Sequence, residues 1–380
     1  MTIGLWKLFS GRIFRHFKLK KMSSGLFEPF EKNGVQFSNR LAMAPMTRCR
    51  ALGNVPNDLM AEYYAQRASA GLIISEGVAP SPNGLGYARI PGVYSPAQIE
   101  GWKKVADAVH QKGGKVFMQL MHTGRVSHSA NMPEGAKIVA PSAISADGDM
   151  WTDTQGMQKT ELPEAMTTAE VEATIQEYVQ AAKNAIAAGF DGVEIHAANG
   201  YLPNQFLNPG SNTRTDQYGG SIENRSRFVL EIARQTAEAI GADKTGIRFS
   251  PYNPYNGIGY FDETFATYDY LSSELNKIGI LYIHLLDGAA RGKEEGLELI
   301  QKIRKNFEGI FILNSGYNAA RATHAIETEG ADLIAFGTSF LANPDLPYRL
   351  RNELELNAPN TATFYTADAV GYTDYKNHAA

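Results

Sequence analysis

His196, Asn199 and Tyr201 fall within one six-residue span, in "EIHAANGYLPNQ". Imidazole and amide N–H groups stabilise an oxygen on which negative charge develops, and a tyrosine hydroxyl passes on a proton. Tyrosine suits that second task at neutral pH because its reference pKa is about 10. Arg248 in "GIRFSP" is a cation inside an apolar run. Its burial requires an anionic partner, and either a carboxylate such as Glu194 or an electron-rich ligand would serve. Gln119, a lone polar residue in an apolar run, reads more simply as a satisfied core group. His122 and His128 in "HTGRVSH" lack the close spacing and neighbouring carboxylates of a metal site, so no metal is expected. Glu223 and Arg225 in "GGSIENRSRF" read as a loop-to-helix tie.

The elements that must position these groups are eight aliphatic runs. They are "LAMAP" (41–45), "LIISEG" (72–77), "KVFMQLM" (115–121), "GVEIHAA" (192–198), "GIRFSP" (246–251), "ILYIHLL" (280–286), "IFILNSG" (310–316) and "LIAFGTS" (333–339). Helical stretches alternate with them. Ser95 caps one, with Pro96 at its first position and Gly113–Gly114 at its end. After a long loop, Thr167 and Glu170 form a capping box, Val171, Ile175, Tyr178 and Ala182 share a face, and Gly189 ends the helix. Asp262 is placed to cap another, which buries Phe265, Leu271 and Leu275 and closes at Gly279. Eight strands alternating with helices predict a single α/β (β/α)8 TIM barrel. A doubly wound sheet is the alternative, but it requires a switch point that is not found. "GLGYARI" lacks the third glycine of a dinucleotide fingerprint and reads as a loop.

In such a barrel the polar residues at the strand ends share one face: Thr47 and Arg48, Glu76 and Gly77, Gln119 and His122, His196 to Tyr201, Arg248, Asn314 to Gly316, and Gly337 to Ser339. The glycine-bearing ends of strands seven and eight suit a phosphate-bearing cofactor. No strand ends in the lysine that Schiff-base chemistry requires.

Composition narrows the class. The chain has 380 residues and a net charge of −4, which gives no reason to expect nucleic acid or an anionic membrane as partner. One cysteine, Cys49, forms no intrachain disulfide and points to a reducing, cytoplasmic location. Residues 1–22 are basic and carry Leu5, Phe9, Ile13 and Phe17 at a spacing of four. They read as a transit-like or membrane-surface segment, or as an extension from an upstream initiation codon ahead of Met22; the latter is preferred, with residues 23–380 forming the barrel and its tail.

The motifs "NRLAMAPMTRCRA", "QLMHTGRVSH", "GVEIHAANGYLPNQFLNPGSNTRTDQYGGSIENRSRF", "RFSP", "FGTSFLANPDLP" and "FYTADAVGYTDY" together resemble the Old Yellow Enzyme family of FMN-dependent ene-reductases, from about Leu26 to Tyr375. The resemblance implies non-covalent FMN reduced by NADPH or NADH, and activated alkenes such as α,β-unsaturated carbonyls, maleimides and nitroalkenes as small-molecule substrates. It implies that Pro45, Met46 and Thr47 lie at the flavin ring, with Gly77 approaching by its backbone. Gln119 and Arg248 are implied at the pyrimidine edge, and Gly316, Gly337 and Thr338 at the phosphate. His196 and Asn199 would bind the substrate's activating oxygen, Tyr201 would protonate its α carbon, and Tyr365 would line the pocket near its mouth. Nitroester, nitroaromatic or quinone reduction would use the same residues, and a non-catalytic flavin-binding barrel or a non-flavin lyase are the contrasting readings. Many members carry Gly-Arg where this chain has Gly337–Thr338, which removes a charge from the phosphate loop. The family includes monomers and homodimers.

Overall fold

Eight parallel strands pair around a closed ring in chain order in a computed structural model, which describes residues 25–378. The basic segment 1–22, and with it the expected boundary at residue 23, lies outside the described residues. The strands are β1 (Leu41–Met43), β2 (Leu72–Val78), β3 (Val116–Leu120), β4 (Gly192–His196), β5 (Thr245–Phe249), β6 (Tyr282–Leu286), β7 (Ile310–Asn314) and β8 (Leu333–Phe336). Ring closure is made by β8 on β1, with Phe336 opposite Met43 and Ala335 opposite Ala42. The expected (β/α)8 barrel is therefore the fold.

Every residue of β1 to β5 is buried, which is why these strands read as continuous aliphatic runs rather than as alternations. Inside the ring, Leu72, Ile74, Phe117, Tyr282, Ile310 and Ile312 pack together. A Cβ at Gly246 would stand 2.2 Å from the Tyr282 ring, so the glycine makes room for that ring in the barrel interior. The floor is plugged by an antiparallel hairpin, Phe30–Lys32 with Val35–Phe37, whose Phe37 joins the inner cluster.

The surrounding helices are α1 (Asp58–Gln66), α2 (Pro96–His110), α3 (Thr168–Ala187), α4 (Ile222–Ile240), α5 (Thr264–Ile278), α6 (Glu294–Asn306), α7 (Ala319–Thr328) and α8 (Leu346–Arg351). Ser95 and Thr167 both make reciprocal capping boxes, with Gln98 and Glu170 respectively. The start of α5 differs from expectation. Glu263, not Asp262, occupies the cap position and makes no side-chain cap there. Its carboxylate instead accepts from Arg225 at 2.5 Å, while the Thr264 hydroxyl donates to the Phe261 carbonyl.

The stretch between β3 and α3 is more than a loop. Asp149–Thr152 and Gly156–Lys159 form an antiparallel hairpin over the C-terminal mouth of the barrel. The C-terminal tail folds over the same mouth, held by three buried arginines that have no carboxylate partner among the described residues. Arg50 donates to the carbonyls of Thr363 and Phe364 at 2.8 Å, Arg48 to Gly371 at 2.7 Å, and Arg67 to Tyr372 at 3.4 Å as well as to Leu341, after β8, at 2.6 Å. Tyr63 and Tyr372 stack at 4.0 Å between them. Carbonyl dipoles and ring faces thus take the place of counter-ions for these guanidinium groups.

Candidate active site

A cavity of about 640 Å³ opens at the C-terminal ends of the strands, and Pro45, Thr47, Gln119, His196, Asn199, Tyr201, Arg248 and Tyr365 all line it. Met46, Gly77, Gly316, Gly337 and Thr338 lie outside this lining. Met46 packs on the core beneath, where its sulfur stands 3.7 Å from the position of a Cβ on Gly337. Gly77 is covered by Met121, which does line the cavity; a Cβ at Gly77 would meet the Met121 sulfur at 2.5 Å. Gly77 owes its position opposite Gln119 to a bulge in β2, where pairing shifts between Ile74 and Gly77. Gly316 and Thr338 are exposed at the neighbouring ends of β7 and β8, which is where a phosphate would reach backbone N–H groups and solvent together.

The strand period decides what faces inward. Glu194 and His196 share a face of β4, and Arg248 lies beside His196 in the register with β5. Glu194 is fully buried, accepts from Gln119 Nε2 at 2.7 Å and pairs with His284 Nδ1 at 2.8 Å. His284 holds its carboxyl below the usual carboxylate range, against the opposing effect of burial. Arg248 does not contact Glu194 directly. Its Nη2 donates to Asn314 Oδ1 at 2.8 Å, and its Nε has no partner. Of the two partners that the sequence left open, a direct carboxylate is therefore absent. A buried guanidinium that lines the cavity and has no carboxylate partner among the described residues fits an electron-rich ring edge, and this is the observation by which the site fits a flavin.

His196 is equally poised. It is 3% exposed, and its Nδ1 has no partner. Burial, reinforced by Arg248 and His284, drives its pKa well below 6.5, so the ring is neutral at pH 7. Asn199 sits in the left-handed region at φ 56°. Its Oδ1 accepts from Asn253 at 3.0 Å, which leaves the Nδ2 donor for the cavity. Tyr201 packs edge-on to His196 with centroids 4.8 Å apart. Burial raises its pKa well above 10, so it keeps its proton at neutral pH.

Several lining residues were not singled out from the sequence. Tyr87 and Arg89 come from "GLGYARI", Met150, Trp151 and Met157 from the mouth hairpin, and Tyr255 from the loop after β5. The hairpin strand "DMWT" carries little signal in sequence, because Met150 and Trp151 are adjacent apolar residues and only the fold shows that Trp151 faces outward. Arg89 ties the mouth together: Nε donates to the Cys49 carbonyl at 3.0 Å, Nη2 to the Tyr365 carbonyl at 2.8 Å, and Nη1 pairs with Asp153 of the hairpin. His122 instead serves the loop fold, with Nδ1 accepting from the Gly124 N–H at 3.1 Å. Arg225 ties the start of α4 to the carbonyl of Leu207 at 3.1 Å, as its loop-to-helix reading expects.

Comparison with known proteins agrees with this geometry. The model of the NADH:flavin oxidoreductase / NADH oxidase family matches residues 25–357. The chain is 40% identical over 377 residues to 12-oxophytodienoate reductase 7 of Oryza sativa subsp. japonica, covering 94% of this chain and 95% of that one. It is 41% identical over 355 residues to a probable flavin mononucleotide-dependent alkene reductase of Leishmania infantum, covering 92% and 96%. Among solved structures, morphinone reductase superposes with a TM-score of 0.89 at 44% identity, over 94% of this chain and 98% of that one. The chain belongs to the NADH:flavin oxidoreductase / NADH oxidase family, the Old Yellow Enzyme group that its motifs resemble.

Proposed function

We propose that the chain is an NAD(P)H-dependent FMN oxidoreductase that reduces the C=C bond of activated alkenes, with substrate and cofactor meeting in the β-barrel mouth. The observation that carries this reading is the convergence, in the lining of one cavity, of the buried His196 imidazole and the buried Arg248 guanidinium, which has no carboxylate partner among the described residues, with the Tyr201 phenol. FMN, when bound, supplies the two-electron chemistry that couples NAD(P)H oxidation to alkene reduction.

The protein's own part is electrostatic and acid–base. Arg248, with Gln119 beside it, binds the electron-rich pyrimidine edge and favours negative charge there. Pro45 and Thr47 shape the bed of the ring, with Met46 and Gly77 supporting it from behind, and the backbone at Gly316 and Gly337–Thr338 takes the phosphate. His196 and the Asn199 amide donate to the substrate's carbonyl or nitro oxygen, which draws electron density from the conjugated bond. A neutral imidazole performs this as a hydrogen-bond donor without adding a second buried cation beside Arg248. Tyr201 then gives its Oη proton to the α carbon. Trp151 of the hairpin and Tyr365 of the tail close the mouth around the substrate.

Nitroesters, nitroaromatics and quinones would engage the same donors, and side-by-side turnover with an enone ranks them. A flavin-binding barrel without activity would have no use for a phenol beside the oxygen-binding pair. The single cysteine favours a cytoplasmic location, and among the described residues no helix is long and apolar enough to cross a membrane.

The test separates the half-reactions. Tyr201→Phe should slow reoxidation of the reduced holoenzyme by 2-cyclohexenone by roughly 100-fold or more, the scale of general acid catalysis. His196→Ala should weaken enone binding. Wild-type reoxidation by Tyr201→Phe would remove the proton-donor role, and unchanged enone binding by His196→Ala would remove the oxygen-binding role.

A further inference from the structure

Tyr201 does not stand alone. Its Oη donates to the Oη of Tyr87 at 3.1 Å, and the two rings meet edge-on at 86° with centroids 6.2 Å apart. Both phenols line the same cavity. They differ in exposure: Tyr201 is 8% exposed, whereas Tyr87 is only partly buried and stands nearer to solvent. The Asn256 side chain lies close to both phenols, and its Nδ2 donates to the Asn199 carbonyl at 2.9 Å.

The segment that carries Tyr87 is held in place. A Cβ at the preceding Gly86 would meet the Thr123 and Ser127 hydroxyls at 2.5 and 2.6 Å, so this backbone lies directly against the loop after β3. The Gly86 carbonyl accepts from Asn131 at 2.9 Å, and Arg89 anchors the other side on the Cys49 carbonyl. Tyr87 is therefore fixed beside Tyr201.

We propose that Tyr87 is a positioning residue that re-protonates Tyr201 after it has given its proton to substrate carbon, forming a two-phenol path from the cavity mouth. The proposal rests on the proton-donor reading of Tyr201. In the resting arrangement the Tyr201 hydrogen points to Tyr87; hydroxyl hydrogens rotate freely, so both can turn. As the C–H bond forms at the α carbon, the Tyr201 O–H bond breaks. The Tyr87 hydroxyl turns its hydrogen toward the oxygen that carries the new charge. Its O–H bond then breaks as the Tyr201 O–H bond is remade, and water at the mouth returns a proton to Tyr87. The net change is one proton taken from solvent, and the electrons are those of the alkene reduction itself. Without this neighbour, a phenolate would be left in a pocket whose burial strongly disfavours it.

The test is a double-mutant cycle on FMN-loaded, fully reduced enzyme mixed with 2-cyclohexenone, with reoxidation followed per bound flavin in H2O and in D2O. Tyr87→Phe, which removes only the hydroxyl, should slow reoxidation on the order of tenfold, as expected for loss of a hydrogen bond to a developing charge. It should also change the solvent isotope effect. In the Tyr201→Phe background the same substitution should change the rate by less than about twofold. An equal slowing in both backgrounds would mark a packing role and overturn the proposal, as would an unchanged rate in the presence of Tyr201. Wild-type speed for Tyr201→Phe alone would overturn the underlying proton-donor reading and the relay with it, and is distinguishable from either result. Should Tyr87→Phe not fold, Tyr87→Leu in the same cycle gives the same comparison.

Discussion

Glu76 lies within the second barrel strand, in the bulge that places Gly77, and it is fully buried. Burial pushes its carboxyl from 4.5 up to about 7, against the opposing pull of the Arg48 N–H and of Arg48, Arg50 and Tyr64. Its contacts are weak for a carboxylate: the Arg48 N–H and the Tyr64 hydroxyl each approach at 3.4 Å. The folded protein therefore holds this proton more tightly than the unfolded chain does. Stability from this group is full below about pH 4.5 and is lost as pH rises through about 7. At about 1.36 kcal/mol per pH unit, the gap corresponds to ~3 kcal/mol. Glu76→Gln keeps the size and an acceptor but cannot ionise. Its advantage over the wild type should grow from near zero at pH 4.5 to a shift in Tm on the order of 5 °C at pH 8. Thermal melts of both proteins at several pH values between 4.5 and 8 provide the measurement. Parallel curves, or a Gln variant less stable at every pH, would refute the reasoning.

Arg89→Met should release the hairpin and the Tyr365 segment from the mouth; KM for a bulky enone should rise several-fold, and proteolysis near residue 153 should quicken. Unchanged KM and cleavage would show that the clamp does not shape the mouth. Thr338→Arg would restore a cation beside the exposed backbone proposed for the phosphate. The Kd for FMN should fall roughly tenfold, the scale of one charge-assisted contact, and equilibrium dialysis giving an unchanged Kd would place the phosphate elsewhere.

The barrel was legible because parallel strands buried on both faces leave unbroken aliphatic runs, and because helix starts such as Ser95 and Thr167 carry their caps in the local sequence. His196, Asn199 and Tyr201 were legible for a related reason: a single strand end and its turn deliver all three. What was hidden depends on contacts across the chain. Glu194 was one of two partners open for Arg248, yet its two oxygens are taken by Gln119 from the adjacent β3 and by His284 from β6, across the barrel interior. Arg48 follows β1 as a strand-end residue but turns to the tail, where the Gly371 carbonyl accepts from it over 323 residues of chain. Tyr87 sits in a loop with no periodicity, and its meaning appears only when it meets Tyr201, 114 residues away.

The central claim is that this barrel binds FMN and passes electrons from NAD(P)H to an activated alkene. An anaerobic absorbance spectrum of the purified protein with FMN, titrated with NADPH and then with 2-cyclohexenone, tests it most directly. The account predicts that the flavin band bleaches with NADPH and returns with the enone. Bleaching without return would contradict the alkene-reductase assignment, and no protein-bound flavin band at all would contradict the site itself.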